Sequence, residues 1–147
     1  MSNNIALHYD IDGKDFTMAG EASSSIKKVL GQLGISPDII RRVAISVYEA
    51  EMNCVIHAGG GFADVVINPE KICITVSDNG PGIPDVELAM KEGYSTAPNS
   101  IRQLGFGAGM GLPNIKNYTD EIKIKTNVGK GTSVEMVIYI AGKQPNI

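Results

Sequence analysis

The spacing of apolar residues changes abruptly along this chain, and that change constrains the fold more than any other feature. From Pro37 to His57 they recur every three or four positions, at Ile40, Val43, Ala44, Val47, Ala50, Cys54 and Val55. This spacing predicts one long amphipathic helix. Ser36 and Pro37 open it, because a serine oxygen accepts an orphan N–H and proline has no N–H to leave orphaned. The other side of the helix carries Arg42, Ser46, Glu49, Asn53 and His57, also at steps of three or four. Gly59, Gly60 and Gly61 then break it.

On both sides of this helix the period falls to two. Ile5, Leu7, Tyr9 and Ile11 predict a half-buried strand. Asp12-Gly13 is a hairpin turn, with Lys14–Ala19 returning through Phe16 and Met18. Ile26, Val29, Leu30 and Leu33 predict a helix over 21–33 that Gly34 stops. Strands at about 62–68 and 71–78 flank the turn Asn68-Pro69-Glu70, and Ile72, Ile74, Val76 and Asp78 share one face of the second. Asp85–Glu92 reads as a short helix. Residues 94–110 show no period and are rich in Ser, Thr and Gly, which predicts a mobile loop, since loops above ~15 residues in a compact domain are functional or disordered. A helix at about 112–119 and strands at about 121–127 and 131–140 complete the order. Ile122 and Ile124 alternate with Lys123 and Lys125, while Thr132, Val134, Met136 and Ile138 share a face.

This order predicts an α/β (α+β) two-layer sandwich, with a mixed, mostly antiparallel sheet and helices on one face. A length of 147 residues, 43% hydrophobic and 20% charged, suits a single domain over 1–147. The net charge of −3 and the lack of Trp argue against direct nucleic-acid binding. Met1–Ile5 has no basic-then-apolar pattern, and no apolar run approaches the ~20 residues of a membrane helix, so the expected setting is the cytoplasm, away from membranes. Cys54 and Cys73 lie in apolar runs and read as core residues. Neither they nor His8 and His57 have metal-ligand spacing.

Four stretches stand apart from packing. Glu49 and Asn53 project side by side from the long helix, offering a proton acceptor beside a neutral oxygen. Mg²⁺ needs few protein oxygens when phosphates supply the rest, although a solvated helix face carries the same pattern. Asp78-Asn79-Gly80-Pro81-Gly82 ends a strand, as a capping turn or as a carboxylate placed to accept from an amine. Gly105, Gly107, Gly109 and Gly111 alternate just before a helix, as a phosphate cradle or a flexible linker. Gly129-Lys130-Gly131-Thr132 is a hairpin turn whose threonine shares parity with Val134 and Met136.

Taken in order, these boxes resemble the GHKL superfamily of gyrase-type, MutL-type and histidine-kinase ATP-binding domains, which have the Bergerat fold. Within it the stretches Gly93-Tyr94-Ser95-Thr96 and Gly107–Lys116 are similar to those of the small bacterial anti-sigma serine/threonine kinases of the RsbT, RsbW and SpoIIAB type. The resemblance implies ATP and Mg²⁺ as cofactors, with Glu49 as catalytic base and Asn53 as Mg²⁺ ligand. It implies Asp78 on the adenine amino group, the 105–111 run around the phosphates, and Thr132 supporting the adenine site. Gly80, Gly82, Ile83 and Leu112 join the nucleotide-binding set, and the loop at about 94–110 becomes an ATP lid. Arg102 in that loop is either a charge clamp or an exposed arginine.

The implied activity is transfer of the ATP γ-phosphoryl group to Ser or Thr of a STAS-type antagonist or scaffold protein. A sigma factor or other activator is a further implied partner, and the chain acts as monomer or homodimer. A nucleotide-gated binding switch with little turnover would use the same pocket. A detached histidine-kinase catalytic domain would share the boxes, but His8 and His57 are not placed on a dimerising helical hairpin.

Overall fold

The computed structural model describes residues 4–13, 19–83, 86, 90 and 111–140. Its elements are β1 (Ile5–Asp12), α1 (Glu21–Gln32), α2 (Pro37–Ala58), β2 (Gly60–Ile67), β3 (Lys71–Asp78), α3 (Gly111–Tyr118), β4 (Glu121–Asn127) and β5 (Gly131–Tyr139). The expected return strand at 14–19, Ala19 aside, and the expected loop at 94–110 lie outside the described residues. Of the expected helix at 85–92 only Val86 and Met90 are described, and the Met90 N–H donates to the Val86 carbonyl at 3.0 Å, a helical bond.

The five strands form one sheet in the order β1-β2-β3-β5-β4. Every described pairing is antiparallel, so the mixed sheet expected from the sequence is antiparallel throughout these residues. Short turns explain this for β2–β3 and β4–β5, since adjacent strands joined by a few residues must reverse direction. The Asn68 carboxamide oxygen shapes the first turn, accepting from the Glu70 and Lys71 N–H groups, both at 2.9 Å.

Alternation along the strands decides which face is covered. Ala63, Val65, Ile67, Ile72, Ile74, Val76, Val134, Met136 and Ile138 are buried beneath the helices. Apart from the small Ala63, each such side chain contributes about 1.5–3 kcal/mol on leaving water. The opposite face is polar and wetter: His8 bonds Asp64 at 2.6 Å, Ser77 bonds Ser133 at 3.0 Å, and Lys125 approaches Glu135 at 3.5 Å. Hydrogen bonding to Asp64, then to Asp10, raises the His8 pKa above its usual 6.5.

Three local expectations need correction. Leu33 belongs to the cap of α1, not its buried stripe, and is 43% exposed. The helix ends one residue sooner, where Gly34 donates to the Gly31 carbonyl and Ile35 donates to the Leu30 carbonyl, a closing motif that turns Leu33 outward. On α2, Ile39 is buried while Ile40 and Ala44 are only partly so. Ser46, read as part of the polar stripe, is fully buried, its hydroxyl donating to the Arg42 carbonyl at 2.8 Å. The rest of α2 follows expectation, with the Ser36 oxygen accepting from the Ile39 N–H at 3.4 Å and Pro37 opening the first turn.

A buried carboxylate joins the first two helices. Gly20, the N-cap of α1, has no side chain to accept the orphan N–H groups. Glu51 from α2 takes that role: it accepts from Gly20 at 3.0 Å, Ala22 at 3.1 Å and Ser23 at 3.1 Å, and is 2% exposed. A negative charge at a helix N-terminus is favourable, and three charge-assisted bonds offset its desolvation. Glu51→Ala would leave these donors buried and unpaired, so urea unfolding should show a loss of about 3 kcal/mol. A loss under about 1 kcal/mol would contradict this role of the carboxylate.

Candidate functional site

Asp78 ends β3 on the face that carries Ile72, Ile74 and Val76, as parity predicts. Its Oδ1 accepts from the Gly80 N–H at 2.9 Å and from the Thr132 N–H of β5 at 3.3 Å. Its Oδ2 accepts from the Cys54 thiol of α2 at a long 3.9 Å. One oxygen is thus engaged by backbone donors and the other keeps acceptor capacity. An exocyclic amine such as that of adenine is a donor of the matching kind.

The loop after Asp78 is pinned against the β4–β5 hairpin. Gly129 donates to the Pro81 carbonyl at 2.7 Å, and Ile83 donates to the Thr126 hydroxyl oxygen at 2.8 Å. Gly82 has φ +80°, and a Cβ there would stand 2.5 Å from the Asn127 carbonyl oxygen. Gly131 has φ +127°, and a Cβ would lie 2.1 Å from the Asp78 carbonyl oxygen. Only glycine allows β5 to run this close to the end of β3. At Gly80 the obstacle is α2 itself, since a Cβ would reach within 2.5 Å of the Ala58 Cβ.

Burial pushes the Cys54 thiol up to about 12, and the neighbouring charges of Asp78 and Glu51 act in the same direction. A thiol so protonated is inert, which fits the core role read from the sequence.

The polar stripe of α2 divides into a structural half and a half that carries the candidate site residues. The Arg42 Nε donates to the Tyr118 carbonyl at 3.1 Å and its Nη2 reaches Asp120 at 3.2 Å. Asp120 also accepts from the Tyr139 N–H at 2.8 Å, so this ion pair joins α2, the end of α3 and β5. Glu49 and Asn53, one turn apart, are half-buried. The Asn114 amide of α3 donates to Glu49 at 3.4 Å. Asn53 precedes Cys54, which touches Asp78, so α2 carries the carboxylate, the carboxamide and the Asp78 contact along its C-terminal half.

Thr132 is buried, its hydroxyl 3.0 Å from that of Thr126. Ile83 is half-buried and packs against the core. Gly111 begins α3, while Leu112 goes into the core with 7% exposure. Gly105, Gly107, Gly109 and Arg102 lie outside the described residues. Among the described residues no group of three or more His, Cys, Asp and Glu could hold a metal. Asn53 beside phosphates fits the habit of Mg²⁺.

Three contributors escaped the sequence reading: Glu51, Asn114 and Thr126. For Thr126 a signal existed, because it and Thr132 lie equally far from Gly129 and so face each other across the hairpin.

Comparison with known proteins follows the same lines. A model of the histidine kinase-like ATPase domain matches residues 15–138. The anti-sigma F factor of Caldanaerobacter subterraneus is 34% identical over 124 residues, 81% of this chain and 83% of that protein. The serine/threonine-protein kinase RsbT of Bacillus subtilis is 29% identical over 118 residues, 78% of this chain and 83% of that one. The solved RsbU and RsbW domains of a Mycobacterium tuberculosis protein share the fold, with a TM-score of 0.63 at 15% identity over 91% of this chain and 32% of that chain.

Two tests address this geometry. Gly131→Ala should force β5 away from Asp78 and lower ATP affinity by at least about tenfold, a typical cost of strained φ plus a clash; unchanged calorimetric affinity would contradict the close approach. In native protein at pH 9, iodoacetamide should leave Cys54 unmodified until denaturant is added, and mass spectrometry showing rapid alkylation would contradict its burial beside Asp78.

Proposed function

Because the chain belongs to the histidine kinase-like ATPase domain family, we propose that it is an ATP-dependent serine/threonine protein kinase of the anti-sigma regulatory type. The observation that carries the proposal is the division of labour at Asp78. Its Oδ1 is held by two backbone donors while Oδ2 retains acceptor capacity, on the strand end that meets α2 next to Asn53. The kinase name of the Bacillus subtilis relative supports the activity, and the anti-sigma F factor name supports a regulatory protein partner.

In this reading Asp78 accepts from the adenine amino group and Thr132 supports the same site. Gly80, Gly82, Ile83 and Leu112 join the nucleotide-binding set, and the run with Gly105, Gly107, Gly109 and Gly111 would wrap the phosphates. Asn53 would hold Mg²⁺ through its carbonyl oxygen. ATP supplies the phosphoryl group. Glu49 takes the proton of the acceptor hydroxyl as that oxygen bonds to the γ-phosphorus and the bond to the bridging oxygen breaks. Phosphoryl transfer asks mainly for positioning and charge stabilisation, which a small domain can provide. The proposed acceptor is Ser or Thr of a STAS-type partner, residues 1–147 act as one kinase domain, and the proposed setting is the cytoplasm. Among the described residues no helix is long and apolar enough to cross a membrane.

The anti-sigma F factor relative favours a second reading, a nucleotide-gated binding switch with little turnover. A detached histidine kinase is less well supported, because His8 sits on a strand bonded to Asp64 and Asp10, and His57 is in the last turn of α2.

Incubation with γ-labelled ATP, Mg²⁺ and extract of the source cell should give an acid-stable label on a partner protein. Glu49→Ala should lower that transfer roughly 10²–10⁴-fold, with ATP affinity within a few-fold of wild type. Equal transfer by the variant would remove Glu49 from the mechanism. An acid-labile label would move the acceptor to histidine, and no label with ATP bound would favour the binding switch.

A further inference from the structure

Thr126 of β4 joins three parts of the pocket through its hydroxyl. It accepts from the Ile83 N–H at 2.8 Å, stands 3.0 Å from the Thr132 hydroxyl and is 3.3 Å from the Gly131 carbonyl oxygen. We propose that Thr126 is a specificity-determining positioning residue, which fixes the Thr132 hydroxyl and the 79–83 loop so that the pocket prefers a 6-amino purine to a 6-oxo purine. The inference rests on the reading of Asp78 and Thr132 as the adenine site.

The hydrogen-bond accounting of one hydroxyl carries it. A threonine hydroxyl has one proton and two lone pairs. The Ile83 N–H occupies one lone pair of Thr126. Its proton goes to the Gly131 carbonyl, so the second lone pair of Thr126 receives the Thr132 proton. Thr132 then has no proton left to donate and offers a base only lone pairs, which suit an amine and not a carbonyl. The Thr132 N–H meanwhile donates to Asp78 Oδ1, so a single residue of β5 is tied to both the carboxylate and the Thr126 hydroxyl.

Register and turn geometry place these groups together. Thr126 and Thr132 are directly paired across β4–β5, and Asp78 is paired with Thr132 across β3–β5. The three residues therefore form one row across three strands, with the Ile83 N–H above it. A pocket that presents fixed acceptors to an amine discriminates against a carbonyl at the same place, because two acceptors face each other without a proton.

The test compares ATP with inosine triphosphate, which carries an oxo group in place of the amine. Calorimetry would measure both affinities for the wild-type chain, Thr126→Val, Thr126→Ser and Asp78→Asn. Thr126→Val keeps the shape and removes the hydroxyl. It should weaken ATP binding by about tenfold and inosine triphosphate binding by much less, so that the ratio of affinities narrows. Thr126→Ser restores the hydroxyl and should restore most of the ratio, a rescue that loss of packing would not show. Equal weakening of both nucleotides, or an unchanged ratio, would overturn the role of Thr126. If Asp78→Asn loses ATP while Thr126→Val keeps its ratio, only this inference falls. If Asp78→Asn binds ATP as the wild type does, the adenine site and the inference fall together.

Discussion

The carboxylate of Asp78 makes the contacts on which the rest of the site depends. Through one oxygen it binds the N–H of its own loop and the N–H of Thr132 on the neighbouring strand. It therefore fixes where β3 stops, where the 79–83 loop starts and how β5 enters. Such a strand end is feasible because Gly131 lets two backbones approach within the space a Cβ would fill. The carboxylate tolerates partial burial because oriented backbone N–H groups supply its hydrogen bonds.

A second constraint is the sharing of α2 among three duties. One face supplies Val43, Val47 and Ala50 to the core. Glu51 projects to α1 and replaces the missing cap of that helix, while Arg42 and Asp120 lock the far end of α3 against the same helix. With both neighbours anchored, Glu49 and Asn53 are presented from a rigid element, as a site that must hold geometry requires. Stability and the proposed chemistry are therefore separable along one helix: substitutions at Glu51 and at Glu49 act on different quantities although the residues are nearly adjacent.

Local periodicity read the fold well. The alternation in β3, β4 and β5, the Ser36-Pro37 start of α2 and the face of Asp78 all follow from short-range pattern, because one buried sheet face imposes a strict period of two. The four boxes, the Glu49–Asn53 helix segment and three glycine-bearing stretches, point in their order to the right family. What stayed hidden depends on contacts between residues far apart in the chain. Glu51 looked like one more acid in Glu49-Ala50-Glu51, since nothing near it reveals that α1 lacks a cap 31 residues earlier. Arg42 and Ser46 looked like a solvated stripe, because the packing of α3 onto that face is tertiary. The choice between Ile39 and Ile40 turns on the exact rotation of α2 against the sheet, which two adjacent isoleucines cannot disclose. Thr126 is hidden for another reason: between Lys125 and Asn127 a threonine is ordinary until the turn at Gly129 is used to find its cross-strand partner Thr132.

The proposed function requires an adenine nucleotide seated at Asp78, and a crystal structure of the chain grown with Mg²⁺ and a non-hydrolysable ATP analogue tests this most directly. The predicted result has the adenine amino nitrogen within about 3.2 Å of Asp78 Oδ2 and the metal on the Asn53 oxygen. Electron density for the nucleotide at another surface, with Asp78 left to its backbone partners alone, would contradict it.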